Sequence, residues 1–185
     1  MNDTNINLDN NSEVSKAWTK LLGSSAIDTA HALTTGSDGS IYIAGYTDGD
    51  LDGQSNSGNS DAFLSKYDPD GNQDWTQLVG STADDSAQAL TTGSDGSIYI
   101  AGMTWGDFDG QENSGGTGSD AFLSKYDPDG SKEWSQLFGT TSEDKPSALT
   151  TGSDGSIYIA GRTWGDLDGQ SNNGNTFDAF LSKYD

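Results

Sequence analysis

Along most of this chain apolar and polar residues alternate in short runs, each closed by Gly, Asp or Ser. In Asp74-Trp75-Thr76-Gln77-Leu78-Val79-Gly80 the alternation has the two-residue period of a half-buried strand. Ser86–Thr92 predicts a second, shorter strand. Ser97-Ile98-Tyr99-Ile100-Ala101-Gly102 predicts the strongest one, and its consecutive apolar β-formers imply burial on both faces. A long polar loop follows from Asp107 to Ser119, and Asp120–Tyr126 predicts a fourth strand. Between these runs lie turns. Gly93-Ser94-Asp95-Gly96 offers Gly for positive φ, and Asp127-Pro128-Asp129-Gly130 presents Pro where φ near −65° is wanted.

This pattern is written three times. Ala-Leu-Thr-Thr-Gly-Ser-Asp-Gly-Ser-Ile-Tyr-Ile-Ala-Gly stands at residues 32–45, 89–102 and 148–161, and Asp-Ala-Phe-Leu-Ser-Lys-Tyr-Asp at 61–68, 120–127 and 178–185. Trp18, Trp75 and Trp134 mark a period of 57 and then 59 residues. Four short antiparallel strands per unit predict an all-β fold of β-propeller blades. A β-solenoid is the structural rival, but its coils run nearer ~20–30 residues. Residues 1–16 read as a polar N-terminal extension. Residues 17–185 read as a three-blade segment with repeats at about 18–74, 75–133 and 134–185.

The phase of the repeat leaves a strand over. The first unit opens at its Trp strand, Ala17–Gly23, and the last stops after its Phe-Leu strand, Asp178–Asp185. The expectation is that Ala17–Gly23 completes the blade containing Asp178–Asp185. Propellers typically need four to eight blades, so three leave two blade faces open. Closure by self-association follows as an expectation, with a homodimer making six blades. The alternative is a fragment whose remaining blades are supplied elsewhere.

Composition narrows the partners. Hydrophobic residues make up 31% of the chain and Gly contributes 25 positions, which suits short strands with tight turns rather than a helical bundle. Net charge is −21, so the surface repels phosphate backbones and anionic lipid, and nucleic acid is excluded as a partner. There are no cysteines, which excludes disulfides, thiolate metal sites and a cysteine nucleophile. No segment approaches the ~20 apolar residues of a membrane span, so no membrane insertion is expected. Met1–Asn11 is polar and shows no apolar core of a signal peptide.

The repeated words Asp85-x-Ala87-x-Ala89-Leu90, Gly96-Ser97-Ile98-Tyr99-Ile100-Ala101-Gly102-x-Thr104 and Asp120-Ala121-Phe122-Leu123-x-Lys125-Tyr126-Asp127-x-x-Gly130 resemble the bacterial β-propeller repeat family called SBBP. All three units carry them. The resemblance implies an extracellular or cell-surface location and a ring of nominally seven blades, from which three per chain departs. It implies little about biochemical role.

Candidate chemistry lies where the units differ. Asp48-Gly49-Asp50-Leu51-Asp52-Gly53-Gln54-Ser55-Asn56 is similar to the calcium loop of propellers with FG-GAP repeats, where alternating carboxylates converge on a hard cation. Asp48, Asp50, Asp52 and Asn56 are candidate calcium ligands, as are Asp107, Asp109 and Asn113, and Asp166, Asp168 and Asn172. Units two and three place Trp105 and Trp164 where unit one has Asp48. These aromatics beside Asp and Asn could stack on sugar rings, making glycans the candidate ligand. Packing over the blade edge is the plainer expectation for both. Trp18, Trp75 and Trp134 read as structural. Asp28, Asp85 and Asp144 read as turn-fixing acceptors. His31 is the only histidine and its equivalents are Gln88 and Ser147, so no repeated site uses it. No catalytic motif such as Gly-x-Ser-x-Gly or His-Glu-x-x-His is present.

The sequence therefore predicts a non-enzymatic scaffold or adhesion module that self-associates into a closed ring, with calcium as a candidate stabiliser. The alternatives are a multivalent lectin, and an engineered or excised repeat with no independent function.

Overall fold

The computed structural model describes residues 15–114, 116, 118–174 and 176–185. Eleven strands form three antiparallel sheets among these residues. The first blade holds β1 (Asp28–Thr35), β2 (Ile41–Thr47), β3 (Asp61–Tyr67) and β4 (Gln73–Val79), paired in chain order. The second repeats this with β5 (Asp85–Thr92), β6 (Ile98–Thr104), β7 (Asp120–Tyr126) and β8 (Lys132–Phe138). The third has three strands, β9 (Asp144–Thr151), β10 (Ile157–Thr163) and β11 (Asp178–Tyr184), with no fourth beside β11 among the described residues.

The predicted strands all appear apart from Ala17–Gly23. Each innermost strand bulges where it meets the Gly of the Ile-Tyr-Ile-Ala-Gly strand, as between Ala30 and Ala32 opposite Gly45. A Cβ on Gly45 would lie 1.8 Å from the Thr29 carbonyl oxygen, so the close approach requires Gly there.

Blades stack face to face. Tyr42, Ala44, Ala62 and Leu64 of the first blade pack against Leu90, Ile98, Ile100 and Phe122 of the second. Tyr99, Ala101 and Leu123 on the second blade's other face meet Ile157, Ile159 and Phe180 of the third. With both faces covered, the consecutive apolar residues Ile98, Tyr99, Ile100 and Ala101 of β6 are all buried, as the sequence implied. The innermost strands are stitched by Thr92 Oγ1 donating to Thr35 O at 3.1 Å and Thr151 Oγ1 donating to Thr92 O at 3.0 Å.

Residues 17–23 differ from expectation: they form no strand, because no strand edge lies beside them to complete a ladder. Their placement is nonetheless that of a fourth strand. In β4, Trp75 covers the turn at Gly130 of the next blade, where a Cβ would meet its ring at 2.9 Å. Trp18 covers the equivalent Gly71 of the first blade, at 3.2 Å. The turn that follows is also conserved in geometry: Ser24 N donates to Asp28 Oδ2 at 2.7 Å, as Ser81 N does to Asp85 at 2.6 Å. Ala17–Gly23 thus sits against the first blade as the outer strand of a preceding blade would.

Candidate functional site: blade junctions and the third-blade edge

The Asp-Gly loops are tight turns built on a buried apolar anchor. Leu51, Phe108 and Leu167 are buried inside the loops expected to be polar, and each pairs across a two-residue turn with Gln54, Gln111 or Gln170. The turn demands positive φ at both central positions. Asp52, Asp109 and Asp168 adopt φ of 52°, 50° and 50°, with Gly53, Gly110 and Gly169 following.

The candidate calcium ligands do not converge in this geometry. Asp48 accepts from Ser60 Oγ at 2.6 Å. Asp50 accepts from Asn56 N at 2.9 Å, while Asn56 Nδ2 donates to Thr47 O at 2.9 Å. Asp107 accepts from Asn113 N at 3.0 Å and Asp166 from Asn172 N at 2.8 Å. Asp52 accepts from Gln73 Nε2, and Asp109 binds the Lys132 ammonium. Calcium wants six to eight oxygens around one point. Among the described residues no three acidic or histidine side chains gather that way. These residues fit a set of turn-forming acceptors.

The two loop tryptophans have different surroundings. Trp105 borders an open cleft of about 340 Å³ lined from all three blades, beside His31 and Tyr46 of the first and Lys145 of the third. Trp164 packs edge-on against Phe177 at 4.7 Å, and the Arg162 guanidinium lies 4.1 Å from the Phe177 ring centre. His31, on the wall of that cleft, also joins blades: its Nδ1–H donates to Ala87 O at 2.9 Å.

Two features were not foreseen. The first is a buried carboxylate pair at each blade junction. Asp61 ends the loop into β3, Asp85 opens β5, and Asp85 N donates to Ser60 O at 2.8 Å. Asp144 N donates to Ser119 O at 2.8 Å, which sets Asp120 and Asp144 together in the same way. Burial raises Asp85 to about 6, the Asp61 charge adds to this, and the Ser81 N–H with the Ser81 and Thr104 hydroxyls pulls back only in part. Burial likewise raises Asp61 and Asp120 against the donors of Ser57, Gly58 and Ser114. One oxygen each of Asp120 and Asp144 has no hydrogen-bond partner among the described residues. Asp85 and Asp144 do fix turns, as expected, but their burial depends on the neighbouring blade.

The second is a clamp on the fourth strand. Gln54 Nε2 donates to Thr76 O, and Leu78 N donates to Gln54 Oε1 at 3.1 Å. Gln111 repeats this on β8, bonding Ser135 O at 2.9 Å and Leu137 N at 3.0 Å. Beside the clamp, Asp52 and Asp109 hold Gln73 and Lys132 at the start of the same strands. The signal was the word Asp-Gly-Gln, present in all three units and read only for its Asp.

In the third blade this machinery has no fourth strand to grip among the described residues. Gln170 and Asp168, with Phe180, Leu181 and Ser182, border a groove of about 370 Å³ along β11. At the opposite end, Leu21, Leu22, Ile41, Ile43 and Phe63 line a more apolar groove of about 280 Å³ on the first blade.

Comparison with known proteins bears on the repeat itself. The family description SBBP, β-propeller repeat, matches residues 17–52, 74–109 and 133–168. Each match begins at the Trp segment, including the first. The chain is also 33% identical over 172 residues, 85% of its length, to regulatory protein FlaEY of Caulobacter vibrioides. That alignment spans 18% of the relative's length.

Proposed function

This chain belongs to the SBBP β-propeller repeat family, and from that premise we propose that it is a non-enzymatic scaffold module that self-associates into a closed propeller. The observation that carries the reading is that its two end faces are complementary halves of the internal junctions. Leu123 is fully buried against the third blade, while its equivalent Leu181 is 74% exposed. Leu90 is 7% exposed in the second blade, while its equivalent Leu33 is 72% exposed on the first. The first blade therefore bares the surface that the second presents to Leu64. The third bares the surface that the second presents to Ile159.

Two copies would join each bare face to its complement and give six blades, within the range of closed propellers. A face four strands wide and about five residues long covers roughly 320 Å². Two new junctions then bury roughly 1,300 Å², in the ~1,200–2,000 Å² range of stable interfaces. The non-enzymatic part of the reading is supported by the burial of the raised carboxyl groups: Asp61, Asp85 and Asp120 lie at the junctions between blades, each 1% exposed. The Caulobacter relative bears the name of a regulatory protein, which agrees with a module that acts by binding.

The test is mass in solution by sedimentation or light scattering. The reading expects twice the 19.4 kDa of one chain at micromolar concentration. A single-chain mass at all concentrations overturns it.

A further inference from the structure

We propose that Lys16–Leu22 of one copy forms the missing fourth strand of the third blade of a second copy, antiparallel to β11. This rests on the self-association reading and adds the element exchanged, its register and the residues that hold it.

The register follows from the two complete blades. In the second blade Phe122 pairs with Leu137, Ser124 with Ser135 and Lys125 with Trp134. The first blade pairs Phe63 with Leu78, Ser65 with Thr76 and Lys66 with Trp75. Carried to β11, Phe180 pairs with Leu21, Ser182 with Thr19 and Lys183 with Trp18 of the second copy. The hydroxyl contact at the centre is kept. Ser65 Oγ lies 2.7 Å from Thr76 Oγ1 and Ser124 Oγ lies 2.7 Å from Ser135 Oγ, so Ser182 is matched by Thr19.

The holding groups are in place and idle. Gln54 and Gln111 grip the backbone one and three residues beyond Trp75 and Trp134. Gln170 has no strand to grip, and the equivalent atoms are Thr19 O and Leu21 N. Asp109 binds Lys132, two residues before Trp134. Asp168 stands at the same turn position with the same positive φ, and the residue two before Trp18 is Lys16. The charge at that latch is complementary. The donor cannot be the same chain's own segment, because Trp18 is seated at Gly71 of the first blade and β11 lies in the third.

Docking would also repeat the junction. Asp85 N bonds Ser60 O and Asp144 N bonds Ser119 O, so Asp28 N would meet Phe177 O. Asp28 and Asp178 would then form the third carboxylate pair. The segment thus spans two copies as β4 spans its own blade and the next.

The experiment uses the whole chain, which contains no cysteine to confuse it. Thr19→Cys and Ser182→Cys chains are unfolded together, refolded as a mixture and mildly oxidised. The expected result is a disulfide-linked pair from the mixture and none from either variant alone. In parallel, Gln170→Ala, whose side chain holds nothing within its own chain, should raise the two-copy dissociation constant roughly tenfold or more, from two lost backbone bonds. A two-copy mass with no cross-link and an unchanged constant in Gln170→Ala overturns strand exchange and leaves the ring. A single-chain mass throughout overturns both.

Discussion

The second and third blades contain the same heptapeptide, Asp-Ala-Phe-Leu-Ser-Lys-Tyr, in the same strand position with the same neighbour strand inward. In β7 all but Lys125 are buried, whereas in β11 the residues alternate half-buried and exposed. Local sequence and local conformation are identical, so the difference comes from what lies on the far face and along the edge. A blade is therefore half of a structure: its β-propensity sets the sheet, and the adjoining blade turns that sheet into core. The value of any single side chain is set by its place in the stack.

That comparison is sharpened most by paired truncations. Leu123→Ala should cost about 2–5 kcal/mol of unfolding free energy, since Leu123 is fully buried. Leu181→Ala should cost much less in dilute chains, where the residue is 74% exposed, and approach the same loss as concentration rises. Equal costs at all concentrations would break the comparison. Denaturant titrations at two protein concentrations decide it.

Next in size is the pH dependence of the internal junction. Asp85 is raised from 3.8 to about 6, so the folded chain holds that proton more tightly than the unfolded chain does. Its contribution is complete below pH ~4 and is lost as pH rises to about 6, a fall of up to about 3 kcal/mol that then levels off. Denaturation midpoints measured across this window should decline, and Asp85→Asn should flatten the decline. A decline unaltered by the substitution would place its origin elsewhere.

Smaller again is the clamp. Gln111→Ala removes two hydrogen bonds to β8 and should lower stability by about 1–2 kcal/mol. Gln170→Ala should leave the thermal midpoint of dilute chains unchanged. The smallest effect concerns the Asp-Gly loops. Asp50, Asp107 and Asp166 each accept from an Asn backbone N–H, and Asp52 and Asp109 are held by Gln73 and Lys132, so exchanging millimolar calcium for chelator should leave the melting midpoint where it is. A rise with calcium would mean that the loops rearrange to bind it.

Much of this architecture is legible in the sequence. Runs such as Ser97–Gly102 specify strands by period and composition, and threefold repetition multiplies a weak signal. The chain's phase predicts a strand at Ala17–Gly23, and the structure instead holds that segment unpaired against the first blade. The loops were harder to read. Asp52 and Asp109 look like ligands from their spacing, but their partners Gln73 and Lys132 arrive from the outer strand of the blade. The burial of Asp85 needs Asp61 and Ser60 from another blade. Such long-range contacts leave no trace in local pattern. Leu51, Phe108 and Leu167, each alone among polar residues, were the local hint that the loops fold inward.

The two bare ends of the blade stack are unlike each other, one baring Leu33 and the other Leu181. A contact between unlike surfaces has no built-in stopping point. It ends as a ring when the blade-to-blade rotation, summed over the copies, comes to a full turn, and otherwise continues as a helical fibre. Under the proposed self-association, the pitch of one junction, such as Leu64 against Ile100, would govern whether copies form a countable particle or a polymer. A substitution there would act on the size of the assembly before it acted on the stability of a blade.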